Sequence, residues 1–333
     1  MAMYAKDDIR SQLASQQATA TATVEVDPST PVKPAQWIEF HKLAPTETTE
    51  RGSTTWIART ATMVVAWTDA KAGDVFARTG QVDEYTVLMY SGSAPIRVTA
   101  GDATEEVREE AFVVIPPGDS TIEALADGPI IRIFSIFSED LVEASLNRAA
   151  YEVPDLRHAP LIPWPDPVDG FRLRVYRLAD TPIVQGRFGR IFRTTTMMIN
   201  FLAEEPQPRD RFKLSPHFHD DFEQVSMAVK GDFVHHIRYP WGPDSTQWQE
   251  DQHDQVETPS ITIIPPPTIH TTQGVGPHQQ LLDIFSPPRV DFSDQGWVLN
   301  AADYPQPGKR PASAGVCCAP PSRVPRAPPS ARS

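Results

Sequence analysis

The sequence consists of two halves that repeat each other at four anchors in the same order. The first anchor is W-I-A-R-T-A-T-M (56–63), which matches R-I-F-R-T-T-T-M (190–197). The other three are Glu84 with Glu223, each eight residues before a glycine, I-P-P-G (115–118) with I-P-P-P (264–267), and I-F-S (133–135) with I-F-S (284–286). The offset between the copies grows from 134 to 151 residues, so the second copy has longer loops. A duplicated structural unit is the simplest explanation, and one copy need not keep the chemistry of the other.

Each copy is built from short runs of β-branched and aromatic residues that stop at Gly, Pro or Asp. Examples are EYTVLMYSG (84–92) in the first copy and SITIIPPP (260–267) in the second. Turn signals that recur every ~8 to 12 residues are typical of an all-β sandwich or barrel. The 34 prolines are spread through the chain, which favours many short strands over long helices.

The repeat and the composition predict a division of the chain into six parts. These are an N-terminal arm (1–35), either loose or docked, a first β unit (36–137), a helix with a Pro-rich linker (138–170), a second β unit (171–290), a C-terminal segment (291–305) and a tail (306–333). The C-terminal segment is expected to pack its Trp297 and Leu299 against the barrel. The tail has no acidic residue, five basic residues and seven prolines, so it is expected to be disordered. GC-rich DNA read out of frame produces the same kind of composition.

Bulk composition narrows the range of partners and compartments. The formal net charge of -13 repels a phosphate backbone, so a nucleic-acid partner is not expected. No run approaches the ~18 to 20 apolar residues of a spanning helix, and the first residues lack the apolar core of a secretory signal. The two cysteines are adjacent, Cys317 and Cys318, and form neither a disulfide framework nor a zinc motif. We therefore expect a cytoplasmic protein without a membrane partner.

The candidate for chemistry is the run P-H-F-H-D-D-F-E (216–223) in the second copy. Residues i and i+2 of a strand share a face, so His217 and His219 are expected to point into one cavity. Glu223 opens the next strand and is expected to reach the same cavity. His270 follows three prolines and is the fourth candidate ligand. Three imidazoles and one carboxylate suit first-row cations such as Fe(II), Mn(II), Ni(II), Cu(II) or Zn(II).

This pattern resembles the cupin superfamily. The family's first motif is G-x5-H-x-H-x3,4-E-x6-G, and its second motif contains P-x-G-x2-H. With the repeat, the resemblance covers residues 36 to 290 and indicates a bicupin. It implies an all-β fold of two double-stranded β-helix (jelly-roll) barrels in tandem. It also implies one divalent metal per chain, held by His217, His219, Glu223 and His270.

The second copy departs from the family motifs at three positions. Arg211 stands at the leading glycine of the first motif, and Pro267 stands at the glycine of the second. Seven residues rather than six separate Glu223 from Gly231. None of these departures changes a predicted ligand, but they leave the shapes of the loops open.

The first copy lacks most of the predicted ligands. Aligned from Glu84, it has Arg78 for His217 and Gly80 for His219, and Thr121 stands for His270. This degenerate site is therefore not expected to bind a metal. Arg78 either pairs with Glu84 across the site or lies in solvent.

Four further residues are candidates for a role near the metal. His235 and His236 are adjacent on a predicted strand, so one points inward and either lines the barrel or donates to the site. Arg193 is a candidate clamp for a substrate carboxylate, although its repeat partner Arg59 favours a structural role. Trp241 is a candidate cover for a substrate at the barrel mouth.

Three functions fit such a site, and each takes a small organic molecule as partner. We favour a non-haem Fe(II) dioxygenase that cleaves a small aromatic or diketone-type compound. The first alternative is a metal-dependent isomerase, lyase or hydrolase acting on a carbonyl or sugar-like compound. The second is a non-catalytic module that binds a small molecule. Barrels of this family often form homodimers, which is a further expectation.

Overall fold

The computed structural model describes the backbone of residues 15–16 and the residues 26–181, 183 and 189–308. The strands of the first half are β1 (Ser15–Gln16), β2 (Gln36–Glu39), β3 (Glu47–Thr48), β4 (Thr54–Arg59), β5 (Met63–Ala70), β6 (Val75–Gln81), β7 (Tyr85–Met89), β8 (Ile96–Ala100), β9 (Ala103–Val107), β10 (Ala111–Ile115), β11 (Gly118–Ala124) and β12 (Gly128–Ser135). Those of the second half are β13 (Arg174–Arg177), β14 (Arg190–Arg193), β15 (Met198–Phe201), β16 (Phe218–His219), β17 (Glu223–Lys230), β18 (Phe233–Arg238), β19 (Gln252–Val256), β20 (Ser260–Ile264), β21 (Ile269–Gly274) and β22 (Gln280–Ser286). Helical structure is short: α1 (Glu139–Ala144), α2 (Val290–Asp294) and 3₁₀ turns at Phe40–Lys42, Arg148–Tyr151, Leu178–Asp180 and Ser245–Gln247.

Each half forms a barrel from a larger and a smaller antiparallel sheet. The first barrel has the strand orders β13-β10-β7-β12-β5-β4-β3 and β6-β11-β8-β9. The second has β14-β15-β22-β17-β20-β2 and β19-β18-β21. In the larger sheets, the strand order β4-β5-β12-β7-β10 of the first barrel corresponds to the order β14-β15-β22-β17-β20 of the second. The repeat requires this correspondence. The predicted fold class is confirmed: an all-β chain with two jelly-roll barrels in tandem.

The larger sheets are buried on both faces because they pack against each other. Along β5, Met63, Val65 and Trp67 face a core that is shared by both barrels. Val64 and Ala66 alternate with them and face the interior of the first barrel. A strand buried on both faces reads as a continuous apolar run, which is what M-V-V-A-W shows.

The two barrels exchange their outermost strands. β2 precedes the first barrel in the chain but pairs with β20 of the second, with Ile38 opposite Ile261. β13 precedes the second barrel but pairs with β10 of the first, with Val175 opposite Val113. β2 thus lies within the predicted unit 36–137 and β13 within the predicted unit 171–290, but each pairs with the barrel of the other unit. The physical reason is that β10 and β20 have one unpaired edge apiece, and the exchanged strands satisfy their backbone groups.

Two glutamates join the barrels in a reciprocal manner. Glu84, immediately before β7, accepts hydrogen bonds from the Thr195 amide (2.7 Å) and hydroxyl (2.9 Å) in the β14–β15 turn and from the Tyr304 hydroxyl (2.9 Å). Glu223, at the start of β17, accepts from the Ala61 amide (2.6 Å) in the β4–β5 turn and from the Tyr151 hydroxyl (3.1 Å). Burial raises the pKa of both carboxyls. We call Glu84 and Glu223 the inter-barrel glutamates.

Glu84→Ala is expected to destabilise the protein by about 3 kcal/mol, because the amide and hydroxyl of Thr195 and the hydroxyl of Tyr304 lose a buried acceptor. Urea unfolding measures this loss, and Glu47→Ala on the exposed strand β3 is the control. Metal content should stay unchanged in both variants. A Glu84→Ala protein of full stability that has lost its metal would contradict the inter-barrel role.

The segment that follows each barrel is hydrogen-bonded to a strand of that same barrel. Asn147 and Asn300 occupy equivalent positions, and each exchanges two hydrogen bonds with the backbone of an arginine, Arg59 and Arg193 respectively. Within the C-terminal segment the rings of Phe292 and Trp297 lie 5.2 Å apart. Most of the predicted N-terminal arm (up to residue 25) and the tail from residue 309 onwards lie outside the described residues. Within the described part, none of the helices is long and apolar enough to span a bilayer.

Candidate metal centre

Three histidines meet at one end of the second barrel. His217 and His270 exchange backbone hydrogen bonds, N–H of His217 to O of His270 at 3.0 Å and the reverse at 2.8 Å. His219 lies two residues further along the same extended run, so its side chain shares the face of His217. The ligand nitrogens of the three rings all lie within 4.8 Å of one another. His219 and His270 are buried, and His217 is half-buried.

Backbone carbonyls orient two of the three imidazoles. Nδ1 of His217 lies 2.9 Å from the carbonyl oxygen of Ser215, and Nδ1 of His270 lies 3.0 Å from that of Thr268. A carbonyl only accepts, so each Nδ1 carries the proton and each Nε2 keeps a free lone pair. This arrangement, with one ring nitrogen bonded to a carbonyl, is the usual support of a metal-ligating histidine.

The pKa values of these imidazoles favour the neutral form. Burial lowers the pKa of His217, and burial followed by the neighbouring imidazoles lowers those of His219 and His270 well below the usual range. The guanidinium of Arg289 lowers the pKa values of His217 and His219 further. Neutral imidazoles are the form that binds cations.

The fourth group at the cluster is Gln224 rather than Glu223. The Gln224 Oε1 atom lies 2.7 Å from Nε2 of His219 and 3.4 Å from Nε2 of His270. The Gln224 amide donates to Ser226 (2.8 Å) and to Asp283 (3.1 Å), which aims its oxygen at the histidines. Since Nε2 of His270 and a carbonyl oxygen are both acceptors, their approach is favourable when a cation lies between them. The donor set therefore fits a divalent metal.

The prediction that Glu223 is a ligand is corrected by this geometry. Its carboxylate bonds to the Ala61 amide and the Tyr151 hydroxyl, and it does not belong to the histidine group. The physical reason is alternation along β17, which sends Glu223 outward and Gln224 inward. The spacing contained the signal: six residues separate Gln224 from Gly231, as the motif requires, whereas seven separate Glu223 from it.

No protein-family model matches the sequence, and no curated protein matches it. Among solved structures, an oxalate decarboxylase of Lactobacillus farciminis in complex with formate aligns with a TM-score of 0.51 and 13% identity, over 80% of this chain and 88% of that one. A tryptophan-to-phenylalanine variant of the Bacillus subtilis oxalate decarboxylase aligns with a TM-score of 0.50 and 14% identity, over 77% of this chain and 78% of that one. The chain has a bicupin fold. At this level of identity the likeness shows the fold alone.

The two barrels differ in the polarity of their interiors. Strand register identifies the equivalent positions, because Tyr85 faces Ile115 as Gln224 faces Ile264. The polar residues of the second barrel replace mostly apolar ones of the first: Gln224 for Tyr85, Ser226 for Val87, Thr262 for Val113 and Asp283 for Arg132. Burial raises the pKa of Asp283 to about 6. A polar interior is costly to bury without a ligand, which favours the second barrel as the functional one.

The degenerate site of the first barrel is filled by its own side chains. Arg78 forms a two-pronged ion pair with Asp140 of α1 (2.6 and 2.9 Å), so the predicted pairing of Arg78 with Glu84 is wrong. The reason is that Glu84 points into the other barrel. The hydroxyls of Tyr85 and Ser120 lie 2.9 Å apart in the space that Gln224 and His270 occupy in the second barrel.

The strand register also changes one predicted equivalence. Arg78 is paired with Ser120, as His217 is bridged to His270, so Ser120 and not Thr121 is the counterpart of His270. Thr121 is half-buried on β11. Gly80 has φ +61 and lies within β6, opposite a register irregularity of β11, where its amide donates to Asp119 (2.7 Å).

The side chains of the two adjacent histidines of β18 point to opposite faces of the sheet. His235 is buried, its Nδ1 lies 3.0 Å from the Thr272 hydroxyl, and its Nε2 has no hydrogen-bond partner. Burial lowers the pKa of His235 to about 3, so it is neutral. His236 lies on the outer face, with Nδ1 2.8 Å from Nδ1 of His253. Of the two predicted alternatives, His235 is the inward residue.

The two predicted substrate-binding residues lie elsewhere. Arg193 is buried in the packing of the C-terminal segment, over the Trp164 ring (4.8 Å) and donating to Ser293 (2.5 Å), so its role is structural. Burial lowers the pKa of Arg193 to about 10. Trp241 is exposed and stacks on Trp248 at 4.3 Å, beside a cavity of about 360 Å³ against residues 26–32 that contains none of the three histidines. Both substrate-binding predictions are therefore corrected, because neither side chain reaches the cluster.

Two arginines that the sequence did not single out flank the histidines. Arg209 donates to the Thr272 carbonyl (2.7 Å) and to the Ser215 hydroxyl (2.9 Å), next to both ligand-bearing segments. The guanidinium of Arg289 lies 3.7 Å from the centre of the Phe292 ring and 5.2 Å from that of Phe222, whose ring stacks on His219. Both guanidinium groups lower the pKa of His217, and the guanidinium of Arg289 is paired with Asp291 (2.9 Å).

Proposed function

We propose that this chain is a metal-dependent enzyme whose second barrel binds one divalent cation through His217, His219 and His270, with Gln224 as the fourth group. The observation that carries this proposal is the convergence of three neutral imidazoles, two of which have Nε2 within 3.4 Å of the Gln224 amide oxygen. The first barrel is proposed to bind no metal, since Arg78, Tyr85 and Ser120 fill the equivalent space.

The substrate class follows from charge. Among the described residues, the group that could hold an ion contains no carboxylate, so a bound divalent cation would keep its full charge. Arg209 and Arg289 add positive potential around it. An anionic molecule that offers two oxygen donors, such as a phenolate carboxylate or the enolate of a diketone, would neutralise this charge.

We propose Fe(II) as the native metal and a dioxygenase reaction on such a compound. Fe(II) supplies one-electron chemistry that allows dioxygen to react with an organic molecule. In the cleavage of an aromatic ring or a diketone both oxygen atoms enter the product, so no external reductant is required. Phe222 and Phe285 wall the site with apolar surface and limit the access of water to it. His235 offers its unpartnered Nε2 to a polar group of the substrate.

A non-oxidative lyase is the second candidate. It is favoured by the similarity of the fold to oxalate decarboxylases and by the buried carboxyl of Asp283 beside Gln224. In such a reaction a carbon–carbon bond breaks, the carboxylate leaves as carbon dioxide, and a proton replaces it on the remaining fragment. A Mn(II) or Zn(II) ion would act as the Lewis acid.

Metal analysis combined with oxygen measurement distinguishes these functions. The metal-free protein is loaded separately with Fe(II), Mn(II) and Zn(II), and we expect about one ion per chain because one barrel carries the donor set. Salicylate, gentisate, pentane-2,4-dione and oxalate are then supplied in air and under nitrogen. Oxygen uptake with Fe(II) alone supports the dioxygenase. Carbon dioxide release under nitrogen supports the lyase, and binding without turnover supports a binding module.

A further inference from the structure

We propose that the first barrel positions the metal site of the second, and that Tyr151 is the positioning residue through which it does so. The inference rests on the metal site proposed above. It assigns a task to a barrel that lacks the histidines: holding the start of β17, and therefore Gln224, in register with His219 and His270.

The loop that carries the site is held from outside its own barrel. Residues 220–222 connect His219 to the start of β17. The Ala159 amide donates to the Asp221 carbonyl (2.6 Å), and the Ala61 amide donates to Glu223 Oε2 (2.6 Å). The Tyr151 hydroxyl donates to Glu223 Oε1 (3.1 Å). All three donors precede residue 160, so the first half of the chain fixes this loop.

The fixed loop determines where Gln224 points. Glu223 and Gln224 are consecutive on β17, so their side chains project to opposite faces of the sheet. A carboxylate held by two donors on the outer face prevents the strand from rotating or slipping at this end. The amide of Gln224 on the inner face then stays within 2.7 Å of His219.

Tyr151 is itself held rigidly, which makes it suitable as a support. Its hydroxyl oxygen accepts a hydrogen bond from Gln36 (3.0 Å), and Gln36 accepts one from Asn147 (2.8 Å). Asn147 also bonds to the backbone of Arg59, whose guanidinium lies 4.9 Å from the centre of the Tyr151 ring. The hydroxyl is therefore connected to the edge of β4 in the first barrel and to the exchanged strand β2.

The repeat offers a matched control. Tyr304 donates to Glu84 as Tyr151 donates to Glu223, but Glu84 precedes Tyr85 in the barrel that lacks the three clustered histidines. Removing either hydroxyl takes away the hydrogen bond from a tyrosine to an inter-barrel glutamate, and at Tyr151 it also removes the acceptor of Gln36. Only the loss of the Tyr151 hydroxyl should disturb the residues proposed to bind the metal.

The experiment compares Tyr151→Phe and Tyr304→Phe in the full chain. The affinity for Co(II) is measured by competition with a chromophoric chelator, together with the visible spectrum of bound Co(II) and the melting temperature. Tyr151→Phe should weaken Co(II) binding about tenfold, equivalent to about 1.4 kcal/mol, and change the spectrum. Tyr304→Phe should lower the melting temperature about as much as Tyr151→Phe does. It should leave the affinity for Co(II) within about twofold of wild type. Glu223→Gln, which keeps the volume of the side chain, is a second variant with the same expected weakening.

Two outcomes overturn the inference and remain distinct from failure of the metal site. If Tyr151→Phe and Glu223→Gln bind Co(II) as wild type does while His219→Ala does not, the metal site stands and the positioning role is wrong. The role is also wrong if Tyr304→Phe weakens binding as much as Tyr151→Phe, since the effect would then be general. If His219→Ala binds Co(II) normally, the proposed metal site itself is wrong.

Discussion

His219→Ala is expected to remove tight metal binding and all activity while leaving a folded protein. His219 lies between Gln224 and Phe222, and its ring centre is about 5 Å from those of His217 and His270. Since loss of a group that merely orients a ligand costs 10- to 100-fold in metal affinity, loss of the ligand itself should cost at least about 100-fold. Folding should persist, because the shared apolar core between the barrels lies elsewhere. Elemental analysis after dialysis and the melting temperature of the metal-free proteins provide the measurements.

His236→Ala is the matched control for this variant. The substitution is chemically identical, and His236 lies on the outer face of β18, opposite the exposed His253. Metal content and activity should equal those of wild type. Full metal occupancy in His219→Ala would show that the site has been assigned to the wrong residues.

The spacing of the histidines was sufficient to predict their convergence. Two histidines at i and i+2 on an extended run must share a face, and the second family motif supplied His270 as a further ligand. The same alternation shows that one histidine of β18 points inward, but it does not show which one until the register of the strand is known. Register depends on pairing across the sheet, here His235 with Thr272, which is not a local property of the sequence.

The fourth position was misjudged because Glu84 and Glu223 recur in both copies for a reason unrelated to metal. An acidic residue repeated at the same anchor, next to a histidine pair, suggests a ligand and its degenerate remnant. Both carboxylates instead hold the turn of the opposite barrel. Contacts between two units cannot be read from a motif within one unit, so the inter-barrel role was invisible. The count of residues to Gly231 favoured Gln224, but a glutamine is a less familiar ligand than a glutamate.

The exchange of β2 and β13 was also beyond the sequence. Both strands are short and lie next to segments of the opposite half, and local propensity carries no information about which edge a strand joins. Composition placed the boundaries at the turns and prolines, which mark ends of elements. The open edges of β10 and β20 would be covered equally well if β2 and β13 each paired with the barrel of their own half. The choice between exchanged and unexchanged strands therefore rests on packing between residues far apart in the sequence.

Ending the chain at Val290 is expected to prevent stable folding, whereas ending it at Pro307 should leave stability and activity unchanged. The segment between these points buries Phe292, Val298 and Tyr304. Each large apolar side chain contributes about 1.5 to 3 kcal/mol when buried, so their loss approaches the total stability of a domain, about 5 to 15 kcal/mol.

The shorter chain also leaves polar groups without partners. Arg193 would lose its acceptors on Ser293 and Tyr304, and its backbone would lose both hydrogen bonds to Asn300. A buried guanidinium without acceptors is strongly destabilising. Melting temperatures and metal content of the two truncated proteins, compared with the full chain, test the expectation. If the chain ending at Pro307 melts several degrees lower or loses activity, residues 308–333 contribute to the folded protein. If the chain ending at Val290 remains folded and binds metal, the C-terminal segment is dispensable and its packing contributes little.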